Sequence, residues 1–333
     1  PFRVSSLLGK RVANNKYLAI TIDIIAILTT VLGVTTSLGL GTIQISSGLS
    51  YVFSIPESFL NRVIIIVIIT LIGLASVCLG LDKGIKRLSQ INMILATLLM
   101  MFIFLLGPTV FILNALIQNF GSYVNTLIQS ATWTEVYEST TWQNGWTLFF
   151  YTWWFAWAPF VSLFIARISY GRTIKEFIIG VLFVPSLIVF LWMGIFGNAA
   201  IYQVINETSQ LNDIVNNNYT VALFALFDVY PIAKIVSILA LLIIVTFFVT
   251  SSDSGALVAS MLSSKSHVGI HDDSPILSRV TWAVLLGIIA AVLLYKGGLT
   301  ALQTSVVICG VPFSIIVVFA CRQLYKSLDS ELE

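Results

Sequence analysis

Charge is what this sequence has least of. Only 10% of its 333 residues are Asp, Glu, Lys or Arg, against about 25% in an ordinary soluble domain. A surface of that size cannot be wetted with so few charges, which excludes a soluble enzyme, a nucleic-acid binder and a disordered regulator. Cysteine is nearly as scarce. Cys78, Cys309 and Cys321 lie in or at the ends of apolar runs and form no CxxC pair, so they read as buried, inert thiols with no disulfide or metal framework. The only histidines, His267 and His271, stand beside Asp272 and Asp273 in a polar stretch that reads as a solvated loop. No nucleophile–base set, metal motif or Walker loop occurs, so no enzyme is expected.

What the chain has instead is apolar length. Hydrophobic residues make up 58% of it and aromatic residues 12%, with a mean hydropathy of +0.97. A helix needs about 20 apolar residues to cross the hydrocarbon core. Eight stretches qualify, at roughly 17–39, 62–81, 91–115, 146–168, 175–197, 232–252, 277–295 and 301–321. None alternates with period two, so strands are excluded. The expected fold class is an all-α polytopic membrane protein, 1–333 forming one membrane domain. The chain opens on Pro1 with no leader pattern before the first span, and reads as the interior or C-terminal part of a longer protein.

Lys and Arg orient it. Arg3, Lys10, Arg11, Lys16, Lys83, Lys86, Arg87, Arg167, Arg172, Lys175, Lys265, Arg279, Arg322 and Lys326 fall on one side, and only Arg62, Lys234 and Lys296 on the other. Positive charge stays inside, so both termini are expected in the cytoplasm. Outside, 118–145 carries Trp133, Trp142, Glu135 and Glu138 but no Lys or Arg, and reads as an amphipathic helix on the outer surface. The other long outer segment, 199–230, is polar and irregular. Its Asn-x-Thr sequences at Asn206 and Asn218 are chance matches in what reads as a bacterial inner-membrane protein.

Two spans hold residues that a plain apolar helix does not need. In the fourth, Trp153 and Trp157 stand four apart on one face, and Phe160 and Phe164 continue the stripe. Trp154 lies about 100° round and could close a cup. Tryptophan normally gathers at the ends of a span, whereas this cluster sits well inside. Indole faces attract a cation that has no hydrogen-bond donors, such as a quaternary ammonium, with about 2 kcal/mol per desolvated ring; packing filler is the alternative. Pro159 frees a carbonyl nearby. In the sixth span, Thr250-Ser251-Ser252-Asp253-Ser254 interrupts an apolar run, at a cost unless it lines a cavity. Its oxygens suit Na⁺, or bond back to their own helix. Asp253, placed near the inner end, has Arg167 as its expected partner in a gate or structural ion pair. The first span carries Thr29-Thr30, Gly33, Thr35-Thr36-Ser37 and Gly39-Leu40-Gly41, small residues that permit close helix approach or line an ion path.

The stretch from Gly145 to Arg172, with Trp-Trp-Phe-Ala-Trp-Ala-Pro-Phe at its centre, resembles the signature of the betaine/choline/carnitine transporters. So, in order, do Thr36–Gly41, Gly107-Pro108-Thr109-Val110, Ile195–Asn198 and Thr250–Ser254. The resemblance implies the last eight of twelve spans, and part of a five-plus-five inverted-repeat fold like that of sodium-coupled symporters. It implies substrate contacts from Trp153, Trp154, Trp157, Phe160 and Phe164. It also implies one sodium site using Phe247, Thr250 and Ser251 and a second using Thr30. There Val34 supplies no oxygen one turn on, a departure that weighs against two-sodium coupling. The expected activity is import of a quaternary ammonium osmolyte or precursor by alternating access, choline ahead of glycine betaine. Carnitine, an amino acid, another amine or ion-independent exchange are the alternatives. No organic cofactor is expected; Na⁺ or H⁺ is the expected coupling ion. The implied partners are the lipid bilayer and further copies in a homotrimer, with no nucleic acid.

Overall fold

The computed structural model describes residues 3–79, 86–138, 140–207, 209–264 and 274–332, excepting the side chains of 77–79 and 331–332. His267, His271, Asp272, Asp273, Lys83, Lys265 and the Cys78 side chain lie outside the described residues. Among those described, every regular element is helical. Seven helices are long and apolar enough to cross a membrane, and the chain is an all-α polytopic membrane protein.

A short 3₁₀ turn, Val4–Leu8, precedes α1 (Lys10–Asn14). It is pinned to the first long helix by Asp23, whose carboxylate accepts from the Ser5 amide at 2.9 Å and the Ser5 hydroxyl at 3.0 Å. That helix, α2 (Lys16–Phe53), starts at Asn15, whose side chain accepts from the Leu18 amide at 3.2 Å. Its 38 residues make a rod of about 57 Å, nearly twice the hydrocarbon thickness of about 30 Å. The first span therefore runs well past the expected end at residue 39, and α2 forms a post whose far half still contributes Ile45 to the apolar core.

α3 (Phe59–Leu79) and α4 (Lys86–Leu106) follow. The third apolar stretch, expected over 91–115, breaks at Gly107–Pro108. Pro108 has no amide to donate to the carbonyl four residues back, and the Thr109 hydroxyl takes over that carbonyl, Phe104 O, at 2.7 Å. The amphipathic helix expected over 118–145 is consequently shifted. It is α5 (Thr109–Thr132), and residues 133–138, 140 and 141 are non-helical. A π-helical turn, Asn144–Leu148, leads into α6 (Phe149–Ile168). α7 (Ile174–Ile178) opens with a Thr173–Glu176 capping box and runs through a second π turn into α8 (Val184–Ile205).

Three short pieces then fold over the post: α9 (Leu211–Asn217), a 3₁₀ turn at Tyr219–Val221, and α10 (Ala222–Phe227). The 3₁₀ turn and α10 dock on a stripe of α2 at spacing i, i+3, i+4, i+7, and α9 packs against them and α8. Gln44 Nε2 donates to Thr220 O at 2.9 Å, Ser47 Oγ accepts from the Thr220 hydroxyl at 2.8 Å, Gly48 sits under the Phe224 ring, and Tyr51 donates its hydroxyl to Asp228.

α11 (Ala233–Ser263) is longer than the 232–252 expected. Residues 252–262 are almost wholly buried, and small side chains at Ser254, Gly255, Ala256, Ala259 and Ser260 let the helix run on between its neighbours. α12 (Ile276–Leu332) contains both of the last two apolar stretches as two arms joined at Gly298, with φ 56° and ψ −138°. A positive φ of this kind is open to glycine without strain. The first arm packs on α3, where Gly287 meets Thr70; the second packs on α2 and α6, where Gly39 meets Leu302 and Gly310 meets Thr152. α2 is thus the central post, bordered by α3, α6, α11 and the second arm of α12. Of the thiols expected to be buried, Cys309 is half-buried and Cys321 is exposed.

Candidate functional site

The site is built where α6 crosses α2. Gly33 lets the two backbones close on each other: a Cβ there would stand 3.1 Å from the Ala156 methyl and carbonyl. That approach sets the two inward-facing indoles against α2. Trp153 Nε1 donates to Gly33 O at 3.4 Å and Trp157 Nε1 to Ser37 Oγ at 3.2 Å. Ser37 in turn donates to Gly33 O at 3.1 Å. Both indole N–H groups are therefore spent on the protein, as buried donors must be. What remains to a ligand from these side chains is ring face.

The stripe continues as expected from the spacing. Trp153 stacks on Phe149 with centroids 5.3 Å apart and planes 17° apart. Trp157 meets Phe160 edge-on at 5.5 Å, and Phe160 lies 6.5 Å from Phe164. Phe160 is buried, while Trp153, Trp157 and Phe164 are half-buried. Trp154 does not close the cup: it is 74% exposed. One residue of α-helix turns the side chain about 100°, and the α2 contact fixes Trp153 and Trp157 on the side away from it.

The hydroxyls expected to ligate an ion fall in two places. Gly41 meets Phe248 and Gly255 meets the Val34 methyls, so α2 and α11 run antiparallel with paired numbers summing to about 289. On that register Thr30 lies level with Ala259, about nine residues or 13 Å along α11 from Thr250. Thr30 Oγ1 is fully buried with no hydrogen-bond partner, and so is Thr35 Oγ1. Thr250 Oγ1 and Ser251 Oγ each donate to Phe247 O at 2.9 Å, the bond back to the same helix, and α11 is regular through this stretch. Each hydroxyl spends its proton there and keeps its lone pairs, so a hard cation is compatible with the oxygens present. Among the described residues no group of three His, Cys, Asp or Glu could hold a metal.

The expected Arg167–Asp253 pair is not made. Asp253 is 1% exposed; its Oδ1 accepts from Ser254 Oγ at 3.1 Å and Oδ2 has no partner. It backs onto Gly73 of α3. Arg167 reaches α11 eight residues on, where Nη1 lies 3.9 Å from Met261 Sδ. Eight residues displace the two side chains by about 12 Å, because α11 does not end where the apolar run does.

Two features escaped the sequence. Ser37 reads there as one small residue in a row of three hydroxyls, and only the crossing with α6 makes it the acceptor for Trp157. The rings of Trp133, Trp142, Trp146 and Phe150 form a continuous series ending at Trp153, with successive centroids 5.3, 6.4, 5.8 and 5.9 Å apart. The i, i+4 spacing of Trp142, Trp146 and Phe150 was its visible trace.

Residues 3–333 match the family described as BCCT, betaine/carnitine/choline family transporter. The chain is 41% identical over 323 residues to a glycine betaine transporter of Acinetobacter baylyi, covering 97% of this chain and 48% of that protein. It is 42% identical to the glycine betaine transporter OpuD of Bacillus subtilis, covering 98% and 63%. To the high-affinity choline transport protein of Escherichia coli it is 39% identical, covering 98% and 48%. The chain thus spans about half to two thirds of the length of these curated relatives. With this match over nearly the whole chain and transporters as its relatives, the chain belongs to the betaine/carnitine/choline transporter family.

Proposed function

We propose that the whole protein is a secondary transporter that imports a quaternary ammonium compound across a bacterial cell membrane, choline ahead of glycine betaine. The observation that carries this is the state of the two indoles. Trp153 and Trp157 have given their N–H groups to Gly33 and Ser37, and so offer the trimethylammonium group ring faces alone, the surface that attracts such a cation. The same observation favours choline. The carboxylate of glycine betaine needs donors, and neither α2 beyond Lys16 nor α6 before Arg167 carries Lys or Arg. Glycine betaine is the second reading, favoured by the Acinetobacter and Bacillus relatives, which are named as glycine betaine transporters.

For the coupling ion, Val34 turns two methyls onto Gly255 and gives no oxygen to a site around Thr30. A two-sodium mechanism is disfavoured on that ground, leaving one Na⁺ at Phe247, Thr250 and Ser251, or a proton. Rocking of packed helices would expose the site to each side in turn, with both termini of this chain in the cytoplasm and the protein assembled as a trimer. The test is uptake of radiolabelled choline and glycine betaine by the whole protein in proteoliposomes, under a Na⁺ gradient and then a proton gradient. Choline uptake driven by one of them supports the reading. Betaine uptake without choline uptake would overturn the preference, and uptake of neither would overturn the function.

A further inference from the structure

Among the described residues Asp253 is the one wholly buried carboxylate, and the function proposed above does not use it. A carboxylate held away from water needs a compensating charge or a full set of hydrogen bonds. Asp253 has neither: Ser254 Oγ serves Oδ1 at 3.1 Å, and Oδ2 has no partner. Asp23 shows the contrast, accepting two bonds from Ser5 and lying 4.0 Å from Arg3.

The neighbouring helix points to what completes the site. α3 packs along this face of α11, and its Ser76 stands beside the same carboxylate. Ser76 Oγ is buried and has no hydrogen-bond partner either. The two side chains are neighbours that do not bond, which leaves a space between them. Gly73, one turn back on α3, enlarges it: a Cβ there would meet nothing nearer than 3.9 Å, where the Asp253 Cβ and the Val249 carbonyl lie. The glycines of α2 differ, since a Cβ on Gly39, Gly41 or Gly48 would collide with Leu302, Phe248 or Phe224. Close packing demands those glycines. It does not demand Gly73, which leaves a methyl-sized gap beside the carboxylate. Oxygen donors with one anion among them suit a hard cation. A single carboxylate balances one positive charge, and the size of the gap selects the smaller of the common monovalent ions.

We propose that Asp253 and Ser76 hold a Na⁺ ion between α11 and α3, a static ion that ties the two helices together and is separate from any coupling ion. The implied ion site of Phe247, Thr250 and Ser251 is a different place. Two residues of α-helix turn the side chain about 200°, so Asp253 and Ser251 face nearly opposite ways. Thr250 and Ser251 are half-buried, where Asp253 is enclosed. The charged side chains of the surrounding helices are engaged elsewhere: Arg62 of α3 pairs with Glu57 at 3.1 Å, and Arg167 of α6 lies at Met261. The inference does not depend on which compound is transported.

The test is the Tm of the whole protein, purified in detergent without substrate, as Na⁺ replaces K⁺ at constant ionic strength. It is run in a Ser251→Ala background, which removes a hydroxyl of the implied coupling site. Na⁺ at ten times its dissociation constant is expected to raise Tm by about 2–4 °C. Adding Asp253→Asn gives a higher Tm in K⁺ alone and abolishes the response to Na⁺. Ser76→Ala moves the response to roughly tenfold higher Na⁺, and Ser76→Thr, which keeps the hydroxyl, restores it; this pair carries the test if the Asp253 variant fails to fold. A response to Na⁺ that survives Asp253→Asn, or one indifferent to Ser76→Ala, overturns the site. Equal stabilisation by K⁺ overturns the assignment to Na⁺. No response at all overturns the bound ion, leaving the carboxyl group to carry a proton. None of these results bears on choline uptake, so this inference and the proposed function fail separately.

Discussion

Ser37→Ala is the perturbation that separates a tuned indole from packing filler. In the structure Ser37 Oγ accepts from Trp157 Nε1 at 3.2 Å and donates to Gly33 O at 3.1 Å. Alanine removes the acceptor and leaves the indole N–H without a partner in a half-buried place. An unsatisfied buried donor costs about 1–3 kcal/mol, and the ring escapes that cost by turning toward water, off the stripe. The expected result is a rise in choline KM of roughly five- to 140-fold, from about 1.4 kcal/mol per factor of ten. Ser37→Thr, which keeps an acceptor, should stay near the parent. The decisive step is the cycle with Trp157→Phe, which keeps a ring face and has no N–H to satisfy. In that background Ser37→Ala should cost almost nothing, giving a coupling of about 1 kcal/mol or more. The assay is choline uptake by the whole protein in proteoliposomes, with amounts of correctly folded protein matched. Additive effects of the two substitutions would refute the reasoning, because Ser37 would then act through packing with α6 in general and not through the Trp157 N–H.

Other consequences can be checked on stability and accessibility. Asp253→Asn should raise the Tm of the purified protein in sodium-free buffer, because Oδ2 is buried without a partner and an uncompensated buried charge is costly; a lowered Tm would show that the carboxylate stabilises the protein where it lies. Gly39→Val should lower Tm by overpacking, which costs about 1–3 kcal/mol, since even a Cβ at residue 39 would stand 2.5 Å from the Leu302 side chain; an unchanged Tm would contradict the α2–α12 contact. Tyr51→Phe deletes the hydroxyl bond to Asp228 and should speed amide hydrogen exchange across 219–230, where the 3₁₀ turn and α10 dock on the post, without altering exchange in α6. Val34→Thr should leave the Na⁺ dependence of uptake unchanged, because residue 34 faces Gly255; a newly steep Na⁺ dependence would show that Thr30 and residue 34 do face one ion.

The sequence carried the class of protein and the face of α6 without difficulty, since both rest on short-range rules. Apolar length gives spans, and 3.6-residue periodicity puts Trp153, Trp157, Phe160 and Phe164 on one line. It failed where the outcome depends on which helix lies opposite. Trp154 is one residue from Trp153, and only the α2 crossing decides that it points away. Asp253 sat near the end of an apolar run, yet α11 continues to Ser263 because its small residues are enclosed on several sides, and the carboxylate is left against α3 far from Arg167. Helix ends misled in the same way: α2 overruns its apolar stretch to carry the outer segment, and the third stretch stops early at Pro108. The loop of Glu135 was out of reach, since no periodicity marks a carboxylate that folds back onto the Trp142 and Gln143 amides.

The central claim is that the faces of Trp153 and Trp157 select a positive charge. The most direct measurement is competition against radiolabelled choline uptake by 3,3-dimethylbutan-1-ol, which has choline's shape with carbon in place of the charged nitrogen. Each desolvated ring contributes about 2 kcal/mol to a cation and nothing comparable to a neutral group. The account predicts that unlabelled choline competes strongly and the neutral analogue at least a hundredfold more weakly, in line with two rings at that energy. Equal competition by the two would contradict it, for the stripe would then be reading shape and apolar surface alone.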